Sequence, residues 1–359
     1  MTSMISWQMT EPGKPLEKVE APIPEPGAGE VLVKVAGCGV CHTDLGFYYD
    51  GVRTKSSLPL TLGHEISGVV TAAGPDARQW EGKAVIIPAV MPCGTCDVCK
   101  RGMGNICTTQ KMPGNDIQGG FASHIVVPAE QLCQVPVDGQ YRPQGEADVS
   151  LAQLSVVADA LTTPYQAIVD AGLTAADTAI FVGVGGVGGF GAQIAKAAGA
   201  LVIAIDVDAA KLEALAPYVD QTFNAAEMAF KDLRKAVSAF VKEQGKRRTE
   251  WKIFETSGTA AGQKTAFGLM TFGANLSVVG FTMDTVDIRL SNLMAFHATA
   301  RGNWGCIPRY YPPVRDLVLS GKVKMDPFVR TFPLSEINAV FEKVHHKKIV
   351  ERAILVPDE

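Results

Sequence analysis

"FVGVGGVGGFGAQIAKAAGA", residues 181–200, runs directly into "LVIAIDVD", residues 201–208, and this pair of stretches decides the fold. An apolar strand enters a glycine-rich turn, an Ala-rich helix follows, and a second apolar strand ends on an acid. Gly183, Gly185 and Gly188 satisfy G-x-G-x-x-G. With Gly186 and Val187 opening the helix, backbone amides there can approach a pyrophosphate. Asp206 follows Gly183 by 23 positions, close to the ~20 expected of a carboxylate that bonds the adenosine ribose hydroxyls. Such a carboxylate also repels a 2′-phosphate, which favours NAD over NADP. Lys211, in the next helix, reads either as an adenosine contact or as a solvated lysine.

Outward from this unit the pattern continues. From about residue 160, "TAIFVGVGG", "LVIAIDVD", "WKIFETSG" and "NLSVVGF" alternate with helical stretches such as "AKLEALAPYV" and "GQKTAFGLMTFG". Alternation of this kind predicts an α/β fold with a doubly wound parallel sheet of Rossmann type. Residues 1 to about 155 differ: β-branched runs such as "EVLVKVAG", "ISGVVTAAG", "KAVIIPAV" and "ASHIVVP", separated by Pro and Gly, predict a strand-rich domain. After about 305 a short tail of helices and a strand could return to it.

The 359 residues, 47% hydrophobic and 19% charged, suit two globular domains. A net charge of −4 gives no global pull toward nucleic acid or an anionic membrane. "MTSMISWQMTEPGKP" lacks the pattern of a signal peptide, so a cytoplasmic location is expected. The uncharged runs 178–195 and 265–283 are broken by glycines and fit buried strand and turn better than a bilayer span. Eight cysteines without a secretory signal point to metal binding or free thiols.

"CGTCDVCKRGMGNIC" places Cys93, Cys96, Cys99 and Cys107 with two, two and seven residues between them. Four thiolates can close a tetrahedral shell around a structural zinc; free thiols or an iron–sulfur cluster are the alternatives, and ligand softness and geometry favour zinc. A nucleic-acid zinc ribbon would show two CxxC knuckles across a long spacer. "CGVCHTDLGF" (38–47) and "LGHEISG" (62–68) offer Cys41 and His64 to a second metal. A catalytic zinc keeps three protein ligands and one open position, so a third ligand must come from elsewhere; a structural His–Glu pair is the competing reading. The redox domain gives the metal a task, since zinc polarises an alcohol oxygen as it lowers the pKa of bound water to about 7.

"GHEISGVV", "GVCHTD", the four-cysteine lobe, "GGFASHIVVP", "TTPYQAI" and "GVGGVGG" together resemble the zinc-dependent alcohol dehydrogenases of the medium-chain dehydrogenase/reductase superfamily, along essentially the whole chain. The resemblance implies a GroES-like catalytic domain over 1–158 with a structural zinc lobe at about 91–110. It implies an NAD-binding Rossmann domain over 159–305, a C-terminal return over 306–359, and two zinc ions per subunit. It makes Cys41, His64 and Asp159 the catalytic-zinc ligands. Thr43 would bond the substrate hydroxyl and pass on its proton, Asp44 would orient His64, and Glu65 would lie behind the metal. His42 and Arg352 match positions at the coenzyme pyrophosphate, Thr163 and Val279 positions lining the nicotinamide; a surface charge and simple packing are the plain alternatives for Arg352 and Val279. Where several relatives carry a relay histidine, this chain has Gly46. Cys38, Cys133 and Cys306 read as structural thiols, His124, His345 and His346 as packing or surface residues, and His297, in a stretch that should approach the nicotinamide pocket, as a packed histidine. Relatives are dimers or tetramers, so a homo-oligomer, a tetramer by preference, is expected.

"GVCHTDLGFYYDGVRTKSSLPLTLGHE", "KMPGNDIQGGFASHIVVPA" and "RLSNLMAFHATARGNWGC" further resemble the 6-hydroxycyclohex-1-ene-1-carbonyl-CoA dehydrogenases of anaerobic benzoyl-CoA degradation. This implies oxidation of a ring secondary alcohol to the 6-oxo ketone, with the carboxyl group held as a CoA thioester. CoA phosphates need local cations: Arg53, Lys55 and Arg309 are candidates, a solvated charge being the alternative for each. Phe47, Tyr48, Tyr49 and Trp304 could wall a ring pocket. The competing substrate is a free polyol, benzyl or aliphatic alcohol. A zinc-free quinone or enoyl reductase would lack the ligand set and the cysteine lobe, and a non-catalytic module would have no use for Cys41, His64 and Asp159 together.

Overall fold

A computed structural model describes residues 3–358. The chain divides into two compact units, the first made of 1–162, 305–321 and 325–359 and the second of 163–304 and 322–324. The breaks fall at 162/163 and 304/305, a few residues from the 158/159 and 305/306 read from sequence, and they keep Asp159 with the strand-rich unit.

That first unit is built on a seven-stranded sheet. Its order is Val329–Pro333, Arg352–Val356, Glu30–Gly39, Glu65–Ala73, Ala84–Ile87 and Cys133–Val135, with His124–Pro128 also paired to Glu30–Gly39. Glu30–Gly39 and Glu65–Ala73 are antiparallel and slip register twice, between Leu32 and Val33 and between Val35 and Gly37. Such bulges re-aim side chains at a strand's end; here the end carries Gly39 opposite Glu65. The C-terminal strand pairs with the same segment through Ile354 to Gly39 and Leu355 to Cys38, which brings Arg352 to the site.

The second unit is a six-stranded parallel sheet ordered Gln221–Asn224, Leu201–Asp206, Thr178–Val182, Lys252–Glu255, Asn275–Val278 and Thr299–Gly302. Thr178–Val182 is buried along its whole length, as expected of a parallel strand covered on both faces. The strand order reverses there, and in open α/β sheets the crevice beyond the carboxyl ends at such a reversal is where ligands bind. Phe181 and Phe254 stack at 4.6 Å across neighbouring strands. The helix Phe230–Glu243 and the outer strands Gln221–Asn224 and Thr299–Gly302 extend the pattern read from sequence. No helix among the described residues is long and apolar enough to cross a membrane.

Candidate metal centre and dinucleotide loop

Three segments of the first unit converge on one point. Cys41 caps the short helix His42–Tyr48, His64 stands just before Glu65–Ala73, and Asp159 ends the 3-10 turn Gln153–Ala158. Cys41 Sγ lies 3.5 Å from Asp159 Oδ2, and His64 Nε2 lies 3.6 Å from the same oxygen. Cys41, His64, Glu65 and Asp159 bring their ligand atoms within 4.8 Å of one another. Glu65 is otherwise engaged: its carboxylate is paired with the buried Arg352 guanidinium, and Oε1 also accepts from Ala160 N–H at 3.2 Å. Three donors therefore face the centre, a thiolate, an imidazole and a carboxylate. This set suits zinc and leaves the fourth tetrahedral position for another oxygen.

Asp44 organises the ligands. Its Oδ2 accepts from Cys41 N–H at 2.9 Å and Oδ1 from Gly63 N–H at 3.1 Å, so one buried carboxylate ties both ligand-bearing segments. The same Oδ1 stands 3.4 Å from His64 Nδ1. That pair is too poorly aligned for a hydrogen bond and leaves Nδ1 an orphaned buried nitrogen. Burial disfavours the charged His64 ring, but Asp44 above all, with Asp159 and Cys41, outweighs it and holds the pKa well above the ordinary histidine value. A site that pulls a proton onto a fully buried imidazole is one whose field attracts a cation. Thr43 presents Oγ1 3.7 Å from Cys41 Sγ, and His42 is exposed.

Two further supports were invisible in the sequence. A Cβ on Gly39 would stand 2.0 Å from Glu65 Oε2, so the carboxylate that backs the centre occupies space that only glycine leaves. Tyr311, fully buried, donates to Ala158 O at 2.6 Å and accepts from Ala89 N–H at 3.0 Å. It therefore fixes the backbone one residue before Asp159. Tyr311→Phe is expected to leave the buried Ala89 amide without a partner, while Ala158 O keeps the Thr162 hydroxyl at 3.1 Å, and to cost about 1–2 kcal/mol of stability, read as a lower urea midpoint; an unchanged midpoint would refute it.

Gly46 sits inside the helix His42–Tyr48, where a Cβ would meet only Val52 Cγ2 at 3.6 Å and Asp50 Oδ2 at 4.0 Å. Gly46→Ala is expected to stabilise the protein by about 0.5 kcal/mol through a stiffer unfolded chain; a lowered melting temperature would show that the site needs the gap.

The pocket-wall expectation is corrected in part. Phe47 and Tyr48, each 6% exposed, belong to the hydrophobic core of the first unit, and Tyr48 packs edge-on against Phe341 at 5.5 Å. Five consecutive residues of this helix, 44–48, are buried, so both rings are engaged in the packing of the first unit. Lys55 is bound to Asp116 at 2.9 Å, whereas Arg53 is exposed with no acidic partner among the described residues. Arg309 lies over the Tyr310 ring at 5.0 Å. Trp304, 51% exposed, belongs to the second unit. His297, expected to be packed, is instead exposed, at a positive φ of 48°.

The four cysteines of the lobe form a second group that could hold a metal ion. Cys93 Sγ lies 3.5 Å from Cys107 and 4.0 Å from Cys99, and Cys96 Sγ lies 3.4 Å from Cys99 and 3.8 Å from Cys107. A tetrahedron with Zn–S near 2.3 Å has edges of about 3.8 Å. The thiols are free and pulled apart in acidity. Hydrogen bonds, first from Thr109, lower Cys93 to about 5, while desolvation and its sulfur neighbours push Cys99 to about 12. Four thiolates this close need a cation to ionise together.

In the second unit the glycine loop has the geometry its spacing promised. Gly183 has φ of 89°, and a Cβ there would meet Ser257 Cα at 2.4 Å; a Cβ on Gly188 would meet Gly183 O at 1.9 Å. Gly185 precedes the helix Gly186–Ala197 with open space where a Cβ would be, leaving its amide end clear for phosphate. Asp206 Oδ2 accepts from Val184 N–H at 2.7 Å and Oδ1 from Val207 N–H at 2.7 Å and Asp208 N–H at 3.0 Å, so the loop itself aims the carboxylate. Lys211 lies 3.9 Å from Asp208. Thr163 is 8% exposed, and Val279 donates its N–H to Glu255 O at 2.9 Å.

Residues 27–137 match the family described as Alcohol dehydrogenase GroES-like domain, and residues 186–320 the one described as Zinc-binding dehydrogenase. An alcohol dehydrogenase of Geobacillus stearothermophilus is 29% identical over 348 residues, covering 95% of this chain and 96% of its own. An L-threonine 3-dehydrogenase of Pyrococcus horikoshii is 29% identical, covering 91% and 90%. The cobalt- and zinc-bound alcohol dehydrogenase structure from Pyrobaculum aerophilum superposes with a TM-score of 0.83 at 25% identity, covering 99% of this chain and 100% of that one. The fold is therefore a GroES-like domain with a parallel Rossmann sheet. The chain belongs to the zinc-dependent alcohol dehydrogenases of the medium-chain dehydrogenase/reductase superfamily, enzymes of CH–OH oxidation.

Proposed function

We propose that this enzyme oxidises a ring secondary alcohol, 6-hydroxycyclohex-1-ene-1-carbonyl-CoA, to the corresponding ketone with NAD, using one catalytic and one structural zinc per chain. The observation that carries the alcohol chemistry is the convergence of Cys41, His64 and Asp159 on one point, with Asp44 bracing two of the three. Zinc held there supplies a Lewis acid that makes an alcohol proton easier to lose. Thr43, with its hydroxyl beside Cys41, accepts that proton at Oγ1 as it gives its own onward. With Gly46 in place of a relay histidine, the exposed His42 beside Thr43, the coenzyme ribose hydroxyls or water can receive it. Glu65 and Arg352 hold the segment bearing Asp159 through Ala160 N–H. The glycine loop binds the coenzyme pyrophosphate, and the carboxylate of Asp206, aimed by three backbone amides, bonds the ribose hydroxyls and disfavours a 2′-phosphate. A homo-oligomer in the cytoplasm completes the reading.

The CoA thioester is supported by the long stretches around Cys41, Gly114 and Trp304, and by Arg53, an exposed cation between the first two ligands that no acid neutralises. Lys55, tied to Asp116, has less to offer. The competing free-alcohol substrate is favoured by the relatives, which carry the names alcohol dehydrogenase and L-threonine 3-dehydrogenase. Mixing the zinc-replete enzyme with NAD and the hydroxy-enoyl-CoA, or with ethanol, benzyl alcohol or a polyol, and following NADH absorbance separates them. Turnover confined to the CoA ester is expected, with Arg53→Ala raising its KM about tenfold and sparing that of NAD. Turnover of a free alcohol alone would remove the CoA substrate and keep the zinc chemistry.

A further inference from the structure

The helix Phe230–Glu243 buries Leu233, Val237 and Val241. Its other face is unusual. Phe230, Arg234, Ser238 and Lys242 recur every four residues, with Lys231, Lys235 and Ala239 one step round, so all seven stack along one side. Together with Arg248 they line an open, shallow groove of about 600 Å³. None of the metal ligands, the loop glycines or Asp206 lines it.

Residues 230–248 carry seven basic and two acidic side chains in a chain of net charge −4. Local pairing leaves much of that charge free. Arg247 is bound to Asp177 and Glu250, Lys246 donates to Ala175 O, and Lys235 lies 3.6 Å from Asp232. Lys231, Arg234, Lys242 and Arg248 have no acidic partner among the described residues; Arg248 Nε donates to the neutral Ser238 Oγ at 3.0 Å. Lys231 and Arg234 also stand near the helix N-terminus, the end whose dipole disfavours cations. Folding alone gives no reason to gather these charges.

At the same end Phe230 is 42% exposed and rests on Gly268, where a Cβ would come within 2.5 Å of its ring. A flat apolar ring is thus held at one end of a row of free cations. Phe230 and Lys242 are 12 positions apart, about 18 Å along a helix, roughly the length of an extended nucleoside triphosphate.

We propose that this groove binds a nucleotide carrying at least three phosphate charges, its base against Phe230 and its phosphates toward Arg234, Lys242 and Arg248, with Lys231 beside the base. The guanidinium groups supply bidentate contacts and the ammonium groups point charges. The inference does not rest on the reading of the metal centre.

Calorimetric titration of the full chain, preloaded with NAD to fill the glycine-loop site, tests it with ATP and with inorganic tripolyphosphate. One ATP per chain should bind with Kd below about 1 mM, weakening as salt screens the cations. The double variant Arg234→Ala/Lys242→Ala should weaken both probes at least about tenfold while leaving alcohol turnover unchanged, which shows it is folded. Phe230→Ala should weaken ATP and spare tripolyphosphate. No saturable ATP binding, or equal affinity in the double variant, would overturn the proposal. So would tripolyphosphate matching ATP with no effect of Phe230→Ala, or a single-stranded oligonucleotide binding more tightly than ATP, which would make the face a nucleic-acid surface.

Discussion

On the proposed reading of two zinc ions per chain, Asp159→Asn is expected to lower the zinc content to one and to cut turnover by more than about 100-fold, since even residues behind metal ligands are worth 10–100-fold. The geometry makes the carboxylate hard to replace. Asp159 Oδ2 lies 3.5 Å from Cys41 Sγ and 3.6 Å from His64 Nε2, so it stands within reach of both other candidate ligands. The amide keeps the volume and loses the charge that compensates a divalent ion. Glu65 cannot step in, because its oxygens are committed to Arg352 and Ala160 N–H. The remaining zinc should stay with Cys93, Cys96, Cys99 and Cys107, whose cage Asp159 does not enter. Zinc analysis alongside steady-state kinetics reads both effects. Two ions retained with full turnover would remove Asp159 from the ligand set.

How much of this site could be read beforehand follows from how local each signal is. The cysteine lobe spans 15 residues and the glycine loop six, so spacing alone carries their geometry. The catalytic centre is different. Cys41 and Asp159 are 118 positions apart, and no local pattern joins them; only the family resemblance placed Asp159. Gly39 and Tyr311 gave no signal, because what matters is the space Gly39 leaves for Glu65 and the carbonyl Tyr311 reaches across 153 positions. Phe47 and Tyr48 were ambiguous for the opposite reason: aromatic residues beside a ligand suit a pocket wall and a core equally, and only the structure shows residues 44–48 buried in succession with both rings in the core cluster.

Arg352→Ala is expected to destabilise the protein by about 3–5 kcal/mol, because it strands a fully buried Glu65 carboxylate without its counter-ion. The pair is 287 residues apart in sequence, and Arg352 and Glu65 are 7% and 0% exposed. Burial alone would push the Glu65 pKa up; the guanidinium opposes that rise, and removing it leaves the carboxyl either to protonate or to open the sheet to water. Either response disturbs Ala160 N–H and with it Asp159. The double variant Glu65→Gln/Arg352→Met removes both charges and should recover much of the loss, since replacing a buried pair is far cheaper than halving it. Urea midpoints at constant slope measure the difference. Arg352→Ala also separates two roles. If Arg352 serves the coenzyme alone, KM for NAD rises while the midpoint stays within about 1 kcal/mol of the parent. If it serves Glu65, the midpoint falls first, and zinc at the catalytic centre falls with it.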